Sequence, residues 1–474
     1  MTSVALGRLA RPFLPVLGAI AALLTTALIA QPASAAGKAA QESVSTMKSF
    51  AAPDTPASLN RVRILKQGDP KADHVLVLIP GTSGGAAYFR PMGKAIVKQL
   101  PGYQVWSIER RENLLEDHTR LDQELNGEID VQAMFDYYLG WIADNSIDPH
   151  FEPVTSAQAP FVREWGMNVA VEDIRRVVEK AAKKDRTVVL GGHSLGGSMT
   201  TAYASWDFSG KAGIDDLSGL VYIDGGSLGG DPPTAEEAQA SLDSLQGSSP
   251  FLDLLGVGLP WAAGAFNATG SAGALDEPDA PSVAADFPLL PPNLKPPVPS
   301  TNRGQYGYAF DVDTSPASLA LIHVHIGTLA AAGDPRGWQN GELGTVQRTA
   351  DAFRGIENMD GTAWYHPRRL SLDSSAVNNG IANPAQEVLG EKAIHGDELD
   401  VPILAFETSL GWAGGASRVI AAAEQLAEQS GVKGKDLKLI SKPQKYAHID
   451  PLTATPKKNA FLKALIPFLR KRIG

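Results

Sequence analysis

The residues best suited to chemistry in this chain are a serine and the glycines on either side of it. The segment Gly192–Gly196 reads Gly-His-Ser-Leu-Gly; it follows the apolar run Thr187–Leu190 and precedes a helix-forming stretch. A serine hydroxyl is a weak nucleophile unless a sharp turn presents it to a general base. The strand and helix that flank such a turn approach closely, so the residues two before and two after the serine must be small. Gly192 and Gly196 are small enough, and the pattern predicts that Ser194 is a nucleophile.

Apolar runs bounded by turn residues predict the strands that would hold this serine in place. Continuous runs of this kind are typical of strands buried on both faces of a parallel sheet. Helical periodicity occurs at Phe89–Leu100 and Val169–Lys184, and an amphipathic stretch at Lys458–Ile473 ends the chain. The alternation predicts an α/β fold with a mainly parallel central sheet and helices on both faces. The predicted strands are an edge strand at Asn60–Leu65 and core strands at His74–Ile79, Tyr103–Ile108, Thr187–Gly191, Leu217–Ile223, Pro402–Phe406 and Leu437–Ser441.

The serine motif, in this context of strand and helix, resembles the nucleophile turn of serine hydrolases with the α/β-hydrolase fold. The resemblance is carried by Gly192-His-Ser-Leu-Gly-Gly197 and extends over residues 57–226 and 399–474. Within that superfamily the chain looks most like secreted bacterial esterases and lipases. The resemblance implies a triad whose members follow in the order serine, acid, histidine. It implies neither a metal nor an organic cofactor.

The resemblance places the general base after the last strand of the core. Five histidines follow Ser194, and only His448 lies beyond the predicted strand Leu437–Ser441, so His448 is the expected base. Another two, His323 and His325, have a His-x-His spacing that can bind metal on a strand. Because no third ligand with convincing spacing accompanies them, a pair of ordinary histidines is the favoured interpretation.

The acid of the triad is less determined than the serine and the histidine. The resemblance places it after the penultimate strand, where many members of the family have an aspartate and this chain has Glu407. Glu407 is therefore the expected acid, because a glutamate can also orient the histidine and stabilise its protonated ring. The alternatives are Asp224 at the end of the preceding strand, then Asp450 close to the histidine, and then Asp397 and Asp400.

A glycine-rich loop, Pro80–Gly85, follows the first long strand and contains candidate oxyanion donors. Carried over by position from the resembled family, the backbone N–H groups of Thr82 and Leu195 would bind the oxyanion. Pro80 stands where the family usually has a histidine, and this difference leaves Ser83 open as an alternative to Thr82. The loop lacks the Gly-Lys-Ser/Thr ending that a phosphate-binding P-loop requires.

Two further polar features have less specific interpretations. The segment Glu109–Asn113 contains two carboxylates and two guanidinium groups, which predict an ion-pair network that stabilises the loop after the second core strand. His366 lies next to Trp364 and Tyr365, in a position where it could line a pocket.

The overall composition is typical of a soluble globular enzyme. The chain has 474 residues, of which 43% are hydrophobic and 20% are charged, and this balance excludes an intrinsically disordered protein. The absence of cysteine excludes disulfides, cysteine-type zinc sites, iron–sulfur clusters and a cysteine nucleophile. The formal net charge of -10 disfavours nucleic acid as a partner.

The N-terminal region has the order of features that defines a secretory signal peptide. In residues 1–35, two arginines precede the apolar run Phe13–Ala30, and the small residues Ala33-Ser-Ala35 follow it. This order predicts cleavage after Ala35 and a secreted protein without a membrane span, and an uncleaved membrane anchor is the alternative. Residues 36–56 are rich in Ala, Ser and Gln without periodicity, and they are predicted to be a flexible leader.

Two segments interrupt the alternation of strands and helices. One is Leu114–Trp165, and the longer one, residues 227–398, separates the last two core strands from the rest. A structureless loop of that length is implausible in a compact domain. Residues 227–398 are therefore predicted to form a mostly helical cap, which would shape an acyl pocket and could act as a lid. A separate domain with an unrelated role is the alternative.

Together these features predict a secreted serine hydrolase that cleaves small-molecule or lipid-like carboxylic esters through an acyl-enzyme intermediate. An amidase or peptidase would use the same residues, so the sequence leaves it open. A third hypothesis is a non-catalytic binding protein on the same scaffold.

Overall fold

The computed structural model describes residues 41–227 and 231–474, and the predicted signal peptide lies outside the described residues. None of the helices in the described ranges has the length and apolarity needed to span a bilayer. The strands are β1 (Glu42–Lys48), β2 (Arg61–Gln67), β3 (His74–Ile79), β4 (Tyr103–Glu109), β5 (Thr187–His193), β6 (Gly219–Ile223), β7 (Gly327–Leu329), β8 (Trp338–Asn340), β9 (Ile403–Glu407), β10 (Trp412–Ala413), β11 (Ala416–Ser417) and β12 (Leu437–Ser441). The α-helices are α1 (Arg90–Gln99), α2 (Thr119–Leu125), α3 (Val131–Tyr138), α4 (Met167–Ala181), α5 (Leu195–Ala204), α6 (Ala235–Gln246), α7 (Ala262–Asp276), α8 (Asn302–Phe310), α9 (Val346–Arg354), α10 (Arg368–Asp373), α11 (Pro384–Leu389), α12 (Val419–Ser430), α13 (Asp450–Thr453) and α14 (Ala460–Phe468).

Eight of the strands form one sheet in the order β1-β2-β4-β3-β5-β6-β9-β12. β2 pairs antiparallel with its neighbours β1 and β4. Every neighbouring pair from β4 to β12 is parallel. This order and these directions are those of the α/β-hydrolase fold, so the fold class predicted from the sequence is confirmed.

The parallel strands are buried on both faces, because successive side chains point to opposite sides of the sheet. In β3, Val75, Val77 and Ile79 pack on the face that α4, α5 and α12 cover. Leu76 and Leu78 pack on the other face, against α1 and α14. The continuous apolar runs of the sequence are therefore a consequence of two covered faces.

The prediction of a flexible leader at residues 36–56 was wrong for its central part. Glu42–Lys48 forms β1, which pairs with β2 along its whole length. β1 is an edge strand and none of its residues is fully buried, so it needs no apolar face and has no apolar pattern. An ion pair of 3.1 Å between Glu42 and Arg90 also connects β1 to α1.

The cap combines both segments that interrupt the alternation. The regular elements of residues 231–398 are mainly the helices α6 to α11, with one short ribbon formed by β7 and β8 and irregular stretches between them. The earlier segment Leu114–Trp165 joins the same apolar core, because Phe135 and Tyr138 of α3 pack in one cluster with Trp364. Cap and sheet belong to one compact unit rather than to two separate domains.

Candidate active site

Ser194 lies on a sharp turn between the end of β5 and the start of α5. Its backbone has φ 56° and ψ -126°, a conformation that a residue with a side chain adopts only under strain. A Cβ atom on Gly192 would lie 1.9 Å from the carbonyl oxygen of Gly196. A Cβ atom on Gly196 would lie 2.1 Å from the carbonyl oxygen of Ile79. The turn therefore requires glycine at both positions, in agreement with the reasoning from the sequence.

His448 lies in the loop between β12 and α13 and lines the same cavity as Ser194. Its ring is buried, and Nδ1 is 2.5 Å from Asp224 Oδ2. A proton on Nδ1 makes that hydrogen bond and leaves Nε2 as an acceptor for the proton of the serine hydroxyl. No hydrogen bond joins Ser194 Oγ to the ring among the described residues. The contact between a nucleophile and its base is often long until substrate is bound.

Asp224, one residue beyond the end of β6, is the carboxylate that the structure pairs with His448. Its buried side chain also accepts hydrogen bonds from the N–H groups of Thr408 and Gly411, at 2.6 and 3.1 Å, and from the Thr408 hydroxyl. Burial alone would raise the pKa of Asp224, but the hydrogen bond and charge of His448 and the bonds from Thr408 lower it below its ordinary value. Asp224 is therefore a carboxylate anion at neutral pH, as the acid of a triad must be.

The structure does not bring Glu407, the acid expected from the sequence, to His448. Glu407 ends β9 and is completely buried. It accepts hydrogen bonds from the hydroxyls of Ser417 and Ser441, at 2.8 and 2.6 Å. It also accepts bonds from the backbone N–H groups at the start of α12. Glu407 thus caps the N-terminus of a helix, where a negative charge is stabilising.

The alternation of side chains along β9 is the physical reason for this correction. Ile403 and Ala405 pack in the apolar cluster that includes α4 and α12, and Glu407 points to the same face. Phe406 packs in the cluster on the opposite face, together with residues on either side of His448. Glu407 is still part of β9 and keeps this orientation, whereas Asp224 lies one residue past β6 with φ 46°, outside the alternation, and its carboxylate reaches His448.

The remaining candidates for the acid are three aspartates in different surroundings. Asp450 is completely buried and accepts hydrogen bonds from ring Nδ1 and from the backbone N–H of His325, at 2.6 and 2.9 Å. Burial lowers the pKa of His325, but the hydrogen bond and charge of Asp450 outweigh burial and raise it. Asp397 and Asp400 are exposed. None of the three contacts His448 within the described hydrogen bonds and ion pairs.

The His-x-His pair fastens the cap to the loop that carries His448. The carbonyl oxygen of His323 accepts the N–H of Ile449 at 3.0 Å. Ring Nε2 of His323 lies 3.2 Å from the carbonyl oxygen of Pro316, while His325 bonds Asp450. The pair belongs to no cluster with metal-ligand spacing in the part of the chain that the structure describes.

Two backbone N–H groups beside Ser194 are available as oxyanion donors. Those of Thr82 and Leu195 have no acceptor among the described residues. The N–H of Ser83, the alternative donor, instead faces Nδ1 of the buried His366 at 3.3 Å. Leu195 begins α5, where helix N–H groups lack partners and carry the positive end of the helix dipole. These contacts favour the N–H of Thr82 over that of Ser83 as the candidate oxyanion donor.

A chain of buried hydrogen bonds connects the oxyanion loop, the serine turn and the His448 loop. The Tyr88 hydroxyl accepts the N–H of Gly81 at 2.7 Å and lies 3.0 Å from Nδ1 of His193. Nε2 of His193 donates to the carbonyl oxygen of His448 at 3.0 Å. This arrangement of donors and acceptors requires a neutral His193 ring. Burial, together with the charge of His448, lowers the pKa of His193 to about 3.

The charged segment Glu109–Asn113 supports the same loop. The guanidinium group of Arg110 donates to three carbonyl oxygens of the oxyanion loop, at 2.7, 3.1 and 3.3 Å. An ion pair of 2.6 Å with Glu112 holds that group in place. The ion-pair network predicted from the sequence is thus present, and it fixes the loop that carries Thr82.

The cavity at Ser194 borders a larger apolar cavity of the cap. The two cavities share the lining residues Leu254, Ile322 and Thr362. The larger one contains about 870 Å³ of empty space, part of which is open to solvent. Its walls are mainly apolar and include Phe266, Leu290, Tyr306, Phe310 and Leu319.

The strand order is that of the α/β-hydrolase architecture. Ser194, His448 and Asp224 lie in loops at the carboxyl ends of its parallel strands. No protein-family model matches the chain, and no curated protein sequence is significantly similar to it.

Solved structures with similar folds include three proteins of different activity. Epoxide hydrolase A from Mycobacterium thermoresistibile is 11% identical, with a TM-score of 0.44 and coverage of 91% of this chain and 99% of that one. The thioesterase domain from the curacin biosynthetic pathway is 12% identical, with a TM-score of 0.39 and coverage of 90% and 99%. The monoglyceride lipase from Saccharomyces cerevisiae is 10% identical, with a TM-score of 0.37 and coverage of 91% and 96%. Because these TM-scores are below 0.5, the assignment of the fold depends on the strand order and directions given above.

Proposed function

We propose that this protein is a serine hydrolase that cleaves carboxylic esters through Ser194, His448 and Asp224. The observation that carries the proposal is the 2.5 Å contact between His448 Nδ1 and Asp224 Oδ2, beside a serine on a strained turn. A carboxylate in this position holds the ring in the tautomer whose Nε2 can accept a proton. The N–H groups of Thr82 and Leu195, which have no acceptor within residues 41–227 and 231–474, support the same proposal, since an ester carbonyl becomes an oxyanion during acyl transfer.

In the proposed reaction, Ser194 Oγ attacks the carbonyl carbon while Nε2 of His448 takes the hydroxyl proton. The resulting oxyanion accepts hydrogen bonds from the N–H groups of Thr82 and Leu195. As the tetrahedral intermediate collapses, the bond to the alcohol oxygen breaks and His448 returns its proton to that oxygen. A water molecule, deprotonated by His448, then attacks the acyl carbon; the bond to Ser194 Oγ breaks, His448 returns the proton to that oxygen, and the carboxylic acid is released.

The apolar cavity of the cap supports an ester with an apolar acyl chain as the substrate class. A chain attached to the carbonyl group at Ser194 would extend past Leu254 and Ile322 into that cavity. Each buried methylene contributes about 0.8 kcal/mol, or about fourfold in affinity. We therefore expect kcat/KM to rise with acyl length until the cavity is filled.

Covalent labelling with an organofluorophosphonate tests the proposed nucleophile. Attack by Ser194 Oγ on phosphorus displaces fluoride and adds one phosphonyl group, which intact mass measurement detects. We expect a single adduct on the wild-type protein and none on Ser194→Ala. A folded wild-type protein that acquires no adduct would contradict the proposal and favour the non-catalytic hypothesis.

A series of p-nitrophenyl esters with increasing acyl length tests the substrate class. Ala263→Phe on α7 narrows the larger cavity, because Ala263 lines it. We expect this variant to lose activity on long acyl chains by tenfold or more and to keep its activity on the acetyl ester, which serves as the internal control. Equal losses on both substrates would exclude that cavity as the acyl site. Matched p-nitroanilides would separate an esterase from an amidase or peptidase.

We also propose that the protein is secreted, on the strength of the N-terminal sequence pattern alone. N-terminal sequencing of protein collected from the culture medium tests this proposal. The expected mature N-terminus is Ala36, the residue after the predicted cleavage site. A chain that retains Met1 in the membrane fraction would favour the anchor.

A further inference from the structure

A polar cluster outside the proposed active site has the composition of a metal site. Glu116 and His118 follow β4 in the chain, and Asp360 lies in the cap. One ligand atom from each residue lies within 4.8 Å of the other two. The side chains are almost fully buried, with 0% of Glu116, 1% of Asp360 and 5% of His118 exposed.

The spacing of the three atoms is that of ligands around one ion. His118 Nε2 lies 3.1 Å from Glu116 Oε2 and 3.7 Å from Asp360 Oδ2. Nevertheless, this buried nitrogen forms no hydrogen bond with any described residue. Ligands with zinc bonds of about 2.0–2.1 Å in a tetrahedron lie about 3.3 Å apart. The geometry thus fits shared coordination better than a hydrogen-bonded pair.

Neighbouring groups hold both carboxylates with one oxygen toward His118. Glu116 Oε1 accepts the backbone N–H of Trp364 at 2.9 Å. Asp360 Oδ1 accepts the N–H and hydroxyl of Thr362 at 2.5 and 2.7 Å. The oxygens that face His118 each accept one further side-chain hydrogen bond. Such outer partners fix the orientation of metal ligands.

The charge of the cluster also favours a divalent cation. With both carboxylates ionised, Glu116 and Asp360 carry two negative charges, and no Lys or Arg in the described residues forms an ion pair with either of them. Buried charges without counter-ions are costly. A protonated His118 would balance only one of the charges, whereas a divalent cation on a neutral ring balances both.

We propose that Glu116, His118 and Asp360 bind one zinc-like divalent cation. An imidazole combined with carboxylates suits zinc and related transition metals, whereas calcium and magnesium prefer sites made of oxygen alone. The site is distinct from the proposed serine nucleophile, and none of its three ligands lines the cavity at that serine.

The position of the cluster in the fold indicates a structural role. Asp360 begins a cap segment that is hydrogen-bonded to the oxyanion loop. The N–H of Ala363 donates to the carbonyl oxygen of Ser83 at 2.8 Å, and the N–H of Gly85 donates to the carbonyl oxygen of Gly361 at 2.9 Å. A cation shared with the loop after β4 would therefore hold this segment against the sheet and increase the stability of the folded chain.

The metal content of the purified chain tests the proposal without any activity measurement. The protein is equilibrated with Zn²⁺, passed over a gel-filtration column, and analysed for zinc and for thermal unfolding. We expect about one zinc ion per chain, a midpoint several degrees higher with Zn²⁺ than with a chelator, and no response to Mg²⁺. Co²⁺ in its place should give visible absorption bands that report the coordination number.

His118→Gln and His395→Gln form a matched pair of variants. His118→Gln keeps a polar side chain of similar reach but removes the imidazole ligand. His395 also lies between two carboxylates, Asp207 and Glu398, but at a more exposed position. We expect His118→Gln to lose the zinc and the thermal response and His395→Gln to keep both. Folded wild-type protein without zinc, or equal zinc in folded His118→Gln, would overturn the proposal. Asp360→Asn replaces His118→Gln if that variant does not fold.

Discussion

Asp224→Asn reverses the polarity of one contact in the proposed triad. Oδ1 of Asp224 accepts two backbone N–H groups, from Thr408 and Gly411, so an asparagine would keep its oxygen at that position. Its NH2 group would then occupy the place of Oδ2, 2.5 Å from Nδ1 of His448. An NH2 group there donates to Nδ1 and moves the ring proton to Nε2. In that tautomer His448 is unable to accept the proton of Ser194.

The expected loss is large and confined to the chemical step. The same substitution in a Ser–His–Asp triad lowers kcat by about 10⁴-fold, equivalent to about 5.5 kcal/mol of transition-state stabilisation. We therefore expect Asp224→Asn to lower kcat on p-nitrophenyl butyrate by about 10³- to 10⁴-fold. KM should change little, because the buried carboxylate is not part of the cavity wall. The rate of phosphonate labelling should fall in parallel.

Glu407→Gln is the matched control, since it makes the same change in a neighbouring buried carboxylate. Glu407 accepts bonds from hydroxyls and backbone N–H groups, so an NH2 group would face donors there. We expect the free energy of unfolding to decrease by about 1–3 kcal/mol, with kcat within about threefold of the wild type. If Glu407→Gln instead lost kcat a hundredfold while folded, and Asp224→Asn kept it, the acid would be Glu407 and the assignment of Asp224 would be refuted.

Three further outcomes follow from contacts around the serine turn. Gly196→Ala brings a Cβ atom to 2.1 Å from the carbonyl oxygen of Ile79 and should abolish phosphonate labelling, whereas Gly247→Ala, whose Cβ atom would lie 3.9 Å from the carbonyl oxygen of Ser244, should not. Tyr88→Phe removes the hydroxyl that connects the oxyanion loop to His193, so urea titration should show a loss of about 1–3 kcal/mol, and kcat should fall. Burial and a neighbouring charge lower the pKa of His193 on folding from 6.5 to about 3. The unfolded chain therefore binds a proton at His193 more readily than the folded one, so the free energy of unfolding is unaffected by this residue above pH 6.5 and decreases as the pH falls towards 3. His193→Gln should weaken that decrease in acid unfolding curves.

The sequence predicted the core strands within about two residues at each end, because strands with two covered faces give continuous apolar runs. It also indicated Ser194 as the candidate nucleophile, because the glycine requirement of the turn is local. The acid depends on which of two adjacent strand ends faces the histidine loop. β9 is apolar on both faces, so its sequence contains no sign that Glu407 points away from that loop. The sequence does not reveal Glu116 and His118 as candidate ligands, because Asp360, the third member of the cluster, is far away along the chain.

Hydrogen bonds join several cap segments to the loops of the proposed active site. Cap residues Gly361 and Ala363 bond the oxyanion loop, and His323 and His325 bond the loop of His448. A movement of the whole cap would therefore break these hydrogen bonds, which hold the loops that carry the proposed donors and base. The segment of Leu254 differs, since Asp253 bonds only the nearby N–H groups of Gly256 and Gly258. Leu254 also lines both cavities. Within the described residues, no hydrogen bond joins residues 253–258 to the loops of Thr82, Ser194 and His448, so we expect substrate access at this segment.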